Sequence, residues 1–186
     1  MSKTFRFSMA LAAAVLLAQT TAATTALKLS DAELVAGADL IVAGEVLSTE
    51  STWLDGTLVT IATVQVSDAL KGDAGSTVTL VLPGGVDLSR DIPVAMTYAG
   101  APTVLPGEQV FLFVQEMPEA VGTYYVMGFS QGLFTISPAG NGVMEQNLSG
   151  LSLRTGESTV EGTVRSESVT DFKNRVRRLL AQGGVR

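Results

Sequence analysis

Apolar residues alternate along most of this chain. In ADLIVAGEVLSTESTW, Leu40, Val42 and Val46 fall on one face of an extended segment. Ile41, Ala43 and Leu47 fall on the other, with Glu45. Gly44 interrupts this strand, which suggests a bend or bulge. In TLVTIATVQVS, Ala62, Val64 and Val66 share a face while Thr63, Gln65 and Ser67 point the other way. STVTLVL repeats the pattern with Val78, Leu80 and Leu82 against Thr77 and Thr79. Period-two alternation of this kind predicts half-buried strands of an antiparallel sheet. PGEQVFLFVQE differs, because Val110, Leu112 and Val114 oppose Phe111 and Phe113. Apolar groups on both faces predict a central strand covered on its second side.

The breaks between these runs carry turn chemistry. Asp55-Gly56 is a strong two-residue hairpin signal. In DALKG, Asp68 is expected to cap a tight helical turn, Leu70 to fold back onto the face carrying Val66, Lys71 to sit in solvent, and Gly72 to free the chain to reverse. The pattern weakens over residues 86–106, a long connection in which IPVAMTY predicts a short edge strand. TYYVMGFSQGLFTIS reads as one strand broken at Gly128 and Gly132, or as two short ones. Asn141-Gly142 marks a further hairpin, and residues 149–167 read as a weak edge hairpin or a loop.

Two segments have helical spacing. Ser30 and Glu33 form a capping box ahead of a short helix from Asp31 to about Ala36, packed through Leu34 and Val35, with Gly37 as its left-handed stop. Near the end, Val169, Phe172, Val176, Leu179 and Leu180 make one apolar stripe over residues 169–181, with Ser168 as its cap and Arg175, Arg177 and Arg178 towards its C-terminal dipole. Such a helix is expected to cover the side or end of the sheet; the other reading is a basic docking helix for a partner. The expected architecture is mostly β: a small antiparallel OB-like barrel with a short N-terminal helix and a C-terminal amphipathic helix. Closure removes exposed sheet edges.

The first residues follow a different pattern. Lys3 and Arg6 precede a ten-residue apolar run, Met9 to Ala18, and then the small residues QTTAATTA. This is the three-part pattern of a secretory signal peptide, and the run is too short to span a bilayer, which needs ~20 residues. Cleavage after Ala22, Ala23 or Ala26 fits, with Ala26 favoured, giving a signal peptide over residues 1–26 and a single domain over 27–186. The expected location is periplasmic or secreted. Loss of Lys3 and Arg6 lowers the bases from 12 to 10 against 18 acids, so the net charge moves from −6 to −8. That charge disfavours nucleic acid and anionic membrane as partners.

The chain contains no cysteine and no histidine. A Ser-His-Asp or Cys-His site cannot be built, nor a zinc site of the usual His/Cys kind. No D-x-D-x-D-G run offers a calcium loop, and the PGG of Pro83–Gly85 is not a phosphate loop. No cofactor or metal is therefore expected. Acid–base chemistry would fall to carboxylates, with Asp87 and Asp91 in DLSRD, flanking Arg90, as first candidates for a glycosidase-like pair. The other reading is that these acids keep a loop soluble. Among aromatic anchors, Trp53 beside Asp55 at the hairpin tip stands out, and Tyr98 lies on the long connection. Trp53 can instead pack across the ribbon onto Leu58.

ADLIVAGEV, VQVSDALKG, TVTLVLPGG and PGEQVFLFV occur in an order that resembles the netrin-like fold, the OB-type barrel of tissue inhibitors of metalloproteinases. The likeness spans roughly residues 35–136 and extends to uncharacterised bacterial exported proteins with the Lys-Gly and Pro-Gly-Glu elements. In those inhibitors an N-terminal cysteine chelates zinc. This chain has no cysteine, so that mechanism and its residues do not carry over. The expected function is an exported non-catalytic binding module that recognises a protein or saccharide through loop and hairpin tips, with Trp53, Asp55, Asp87, Arg90, Asp91 and Tyr98 as its surface. The alternatives are a carboxylate-dependent envelope hydrolase and a protease-inhibitor-like partner.

Overall fold

The computed structural model describes residues 24–137 and 142–183. The expected signal segment before Thr24, and Asn141 of the Asn-Gly turn, lie outside the described residues. The chain is mostly β with one short N-terminal and one C-terminal helix, as the patterning predicts. The elements used below are β1 (Thr24–Leu27), α1 (Asp31–Gly37), β2 (Leu40–Leu54), β3 (Thr57–Lys71), β4 (Thr77–Pro83), β5 (Gly85–Asp87), β6 (Val94–Met96), β7 (Gln109–Met117), β8 (Ala120–Val126), β9 (Leu133–Ile136), β10 (Val143–Asn147), β11 (Leu151–Thr155), β12 (Ser158–Glu161), β13 (Val164–Ser168) and α2 (Val169–Gly183).

Five strands pair in a ring. β2 pairs with β3, β3 with β4, β4 with β8, β8 with β7, and β7 with β2 again. The seam between β4 and β8 is parallel, through Thr79–Thr123 and Leu80–Tyr124. From the first half of β7 the sheet continues outward through β9, β10 and β13. The strand β1 pairs in parallel with β11, which pairs with β12. The sheets are thus mixed, which corrects the expectation of an antiparallel barrel. Local patterning reports which residues share a face but not the direction of a distant partner strand.

Alternation sorts the strands between two cores. Leu40, Val42, Val46, Val64, Leu80, Leu82, Val110, Leu112 and Val114 pack inside the ring. Ile41, Ala43, Phe111 and Phe113 face outward and pack with Leu34 and Val35 of α1 and Phe172 and Val176 of α2. Phe172 is fully buried, with its ring 4.5 Å from that of Phe134 and 5.2 Å from that of Phe111. The C-terminal helix therefore covers the side of the ring, as its apolar stripe requires. Its Ser168 cap is present, the hydroxyl accepting from the Asp171 amide at 3.4 Å. Arg175 does not serve the helix end. It bonds Asp31 at 2.7 Å and Glu167, joining α2 to α1 and β13. Leu47 is exposed, because β2 slips register between Val46 and Ser48. A second slip falls at Gly44, where a Cβ would collide with the Gln65 carbonyl.

The DALKG stretch behaves differently from its local sequence. β3 stays extended through Lys71, because Asp68, Ala69 and Lys71 pair with Ala43, Val42 and Ile41. Asp68 caps no turn; its carboxylate pairs with Lys173 of α2 at 2.8 Å. Leu70 packs in the outer core, whereas Val66 packs against the inner one. Lys71 is not a solvated charge. Its ammonium donates to the carbonyls of Val35 at 2.9 Å, Ala36 at 3.2 Å and Ala38. These are the carbonyls left unpaired at the end of α1, where a cation is favoured. Gly37 has no left-handed conformation; the chain leaves the helix in extended geometry at Ala38. Gly72 does adopt positive φ, at 79°.

Candidate binding surface

Beyond their pairing with β7, β2 and β3 continue as an arm, flanked by β4 as far as Val59 and two-stranded at its tip. Its tip is the predicted two-residue turn, with φ of 48° at Asp55 and 77° at Gly56. The segment after β4 folds back against the arm. The Gly84 amide donates to the Leu58 carbonyl at 3.1 Å, and the Thr60 hydroxyl donates to the Gly84 carbonyl at 2.8 Å. The Val86 amide donates to the Ser51 hydroxyl at 3.0 Å. Gly84 has φ of 91°, and a Cβ there would meet the Met96 carbonyl, so the PGG signal marks a close backbone approach. β5 then pairs with β6, the short strand expected in the long connection.

Three predicted surface residues meet on this segment. Trp53 lies opposite Leu58 in the hairpin register, yet its indole N–H reaches across to Asp87 Oδ2 at 2.7 Å. Arg90 Nε donates to the same oxygen at 2.9 Å, and its guanidinium lies over the indole ring, 4.7 Å from the centroid. The second oxygen of Asp87 accepts from the Ser89 amide at 2.9 Å and the Ser89 hydroxyl at 2.6 Å. The Ser89 hydroxyl, then Trp53, the Ser89 amide and Arg90, hold the Asp87 carboxyl well below the usual carboxylate range. Sequence reasoning missed Ser89 and Ser51, whose short polar side chains carry no pattern of their own.

The other three predicted residues make no hydrogen bond to this cluster. Asp55 is exposed at the turn. Asp91 is exposed and lines an open depression together with Ser89, Arg90, Ile92 and Val94. Tyr98, 40% exposed, lines a groove of about 440 Å³ on the inner side of the folded-back segment. The groove runs between Ser51 and Thr60 of the arm and the stretch from Met96 to Leu105. Val86 and Leu105, both at least half exposed, border it together with Pro102 and Val104. No predicted site residue other than Tyr98 lies in it.

Chemically, the cluster is a clamp. An ionised carboxylate saturated by four donors is a poor proton donor, whereas a glycosidase acid needs its pKa raised. The groove offers apolar side chains and backbone polar groups. Among the described residues, no three acidic, histidine or cysteine side chains gather as a metal site requires. None of their helices is long and apolar enough to cross a membrane. Set against models of known protein families and against curated proteins, the chain matches none.

Proposed function

We propose that this chain is an exported, non-catalytic binding module that holds a protein partner in the groove beside the β2–β3 arm. The observation that carries this reading is the exposure of Val86, Tyr98 and Leu105 around a preformed apolar recess. Contiguous exposed apolar surface rimmed by polar groups marks protein interaction sites. The bonds from Gly84, Val86 and Asp87 to the arm support a recess that exists before binding, which lowers the ordering cost. Held ionised by its four donors, Asp87 is unsuited to the general-acid role in the carboxylate-hydrolase alternative.

The five-strand ring with one parallel seam supports the netrin-like, OB-type reading of the fold. Export is part of the same proposal. A chain cut after Ala23 would retain all of β1, whereas one cut after Ala26 would lose Thr24, Thr25 and Ala26 from its pairing with β11.

The test is crosslinked capture from envelope extract, comparing the wild-type chain with Tyr98→Ala and Leu105→Glu. Capture of a defined protein that both substitutions abolish, with unchanged circular dichroism, supports the reading. Capture indifferent to both, or selective retention on immobilised glycans instead, overturns it.

A further inference from the structure

Behind the groove lies a second cavity of about 210 Å³, lined by polar groups. Gly100, Ala101, Pro102, Thr103 and Ser149 line both, so the 100–103 segment is the partition between them. Glu108 and Glu145 line the second cavity with Thr135 and Asn147, and no basic side chain does. Each carboxylate has one oxygen engaged: Glu108 Oε2 accepts from the Leu105 amide at 2.9 Å, and Glu145 Oε1 from the Ser166 hydroxyl at 3.2 Å. Glu108 Oε1 and Glu145 Oε2 have no hydrogen bond among the described residues.

Independent of the two acids, Ser130 also lines this cavity. It is 3% exposed, and its hydroxyl is the buried side-chain polar atom without a hydrogen-bond partner among the described residues. A buried hydroxyl left unpaired costs stability, and one in the lining of a cavity shared with two carboxylates points to a ligand. The charge excess of the lining selects a cation. Two carboxylates alone are few for a metal ion, which takes six to eight oxygens in a calcium site. A primary ammonium has three donors and no acceptor, and suits carboxylate, hydroxyl and amide oxygens.

We propose that this cavity is a subsite for a lysine side chain of the partner, whose neighbouring apolar residue fills the adjoining groove. The proposal rests on the groove being a partner surface, and it specifies that partner as presenting an apolar and a lysine residue side by side. The net charge of the chain from Thr24, 10 bases against 18 acids or −8, favours the approach of such a segment.

The test uses the full chain from Thr24 and three probes: Nα-acetyl-lysine methylamide, its neutral norleucine counterpart, and calcium chloride. Amide chemical shifts of Ser130, Thr135 and Asn147 report the cavity, and those of Tyr98 and Val104 report the groove. The lysine probe is expected to move the cavity amides saturably, and Glu145→Gln, at an exposed position, to weaken it at least about tenfold, as loss of a charged hydrogen-bond partner does. Equal cavity shifts from norleucine, or cavity shifts from calcium and none from lysine, overturn the proposal. Norleucine moving the groove while lysine leaves the cavity still overturns the subsite and spares the groove reading. Lysine moving the cavity while norleucine leaves the groove still supports the cation site and removes the groove reading.

Discussion

The indole nitrogen of Trp53 and the carboxylate of Asp87 meet at 2.7 Å, 34 residues apart in sequence. This bond ties the β2–β3 arm to the returning segment, and Ser89 and Arg90 complete the carboxylate's partners. Because the folded Asp87 carboxyl titrates below its ordinary value, stability from its ionised form is present at neutral pH and is withdrawn as pH falls towards the folded value. Trp53 is the single tryptophan, so its fluorescence reports the clamp directly. Emission should stay flat from pH 7 to about 4, the ordinary aspartate range. In Ser89→Ala, which removes the largest cause of the shift, the emission change should move to higher pH.

Lys71 should matter for stability in spite of its charge. Lys71→Met leaves the terminal carbonyls of α1 without their cation and should cost about 1–2 kcal/mol in urea denaturation. Lys71→Arg should recover part of that loss.

Phe172 anchors α2 to the outward face of the sheet. Phe172→Ala should lower unfolding free energy by about 3–5 kcal/mol, the range for truncating a buried phenylalanine. The urea midpoint measures it, and an exposed substitution such as Arg178→Ala, on the same helix, is the control.

Ser130→Ala should stabilise the fold by about 1 kcal/mol, because it removes an unpaired buried hydroxyl. A thermal melt detects this as a raised midpoint. A gain in stability with loss of lysine-probe affinity would be the signature of a position kept for binding.

A chain beginning at Thr24 should be more stable than one beginning at Leu27. Three of the four register positions of β1 are lost in the shorter chain, along with the bond from the Thr24 amide to the Gly150 carbonyl. A difference of at least about 1 kcal/mol in urea denaturation is expected from net backbone hydrogen-bond values.

The two cores were legible because alternation is a local property. Ile41 and Val42 declare opposite faces without knowledge of any partner, and so do Phe111 and Leu112. The Asp55-Gly56 turn and the Ser30–Glu33 box were legible for the same reason: their bonds close within a few residues. DALKG was misread because its local preference for a turn lost to pairing with Ile41–Ala43, and Lys71 serves a helix 33 to 36 residues away. Trp53, Asp87 and Arg90 were legible as candidates, but their mutual bonds were not. Tyr98 and the long connection marked one wall of the groove, but its other wall and the Ser130 cavity were invisible, since each draws on segments widely separated along the chain and lacks any motif.

β7 has five consecutive residues, Val110 to Val114, with no exposed surface, and they alternate between the two cores. One strand thus serves as a party wall between two rooms. Loosening the helix-covered side strips one face of that wall and leaves the other unsupported, so heat should not peel the layers apart in sequence. Calorimetric and van't Hoff enthalpies that agree would be the mark of that shared wall.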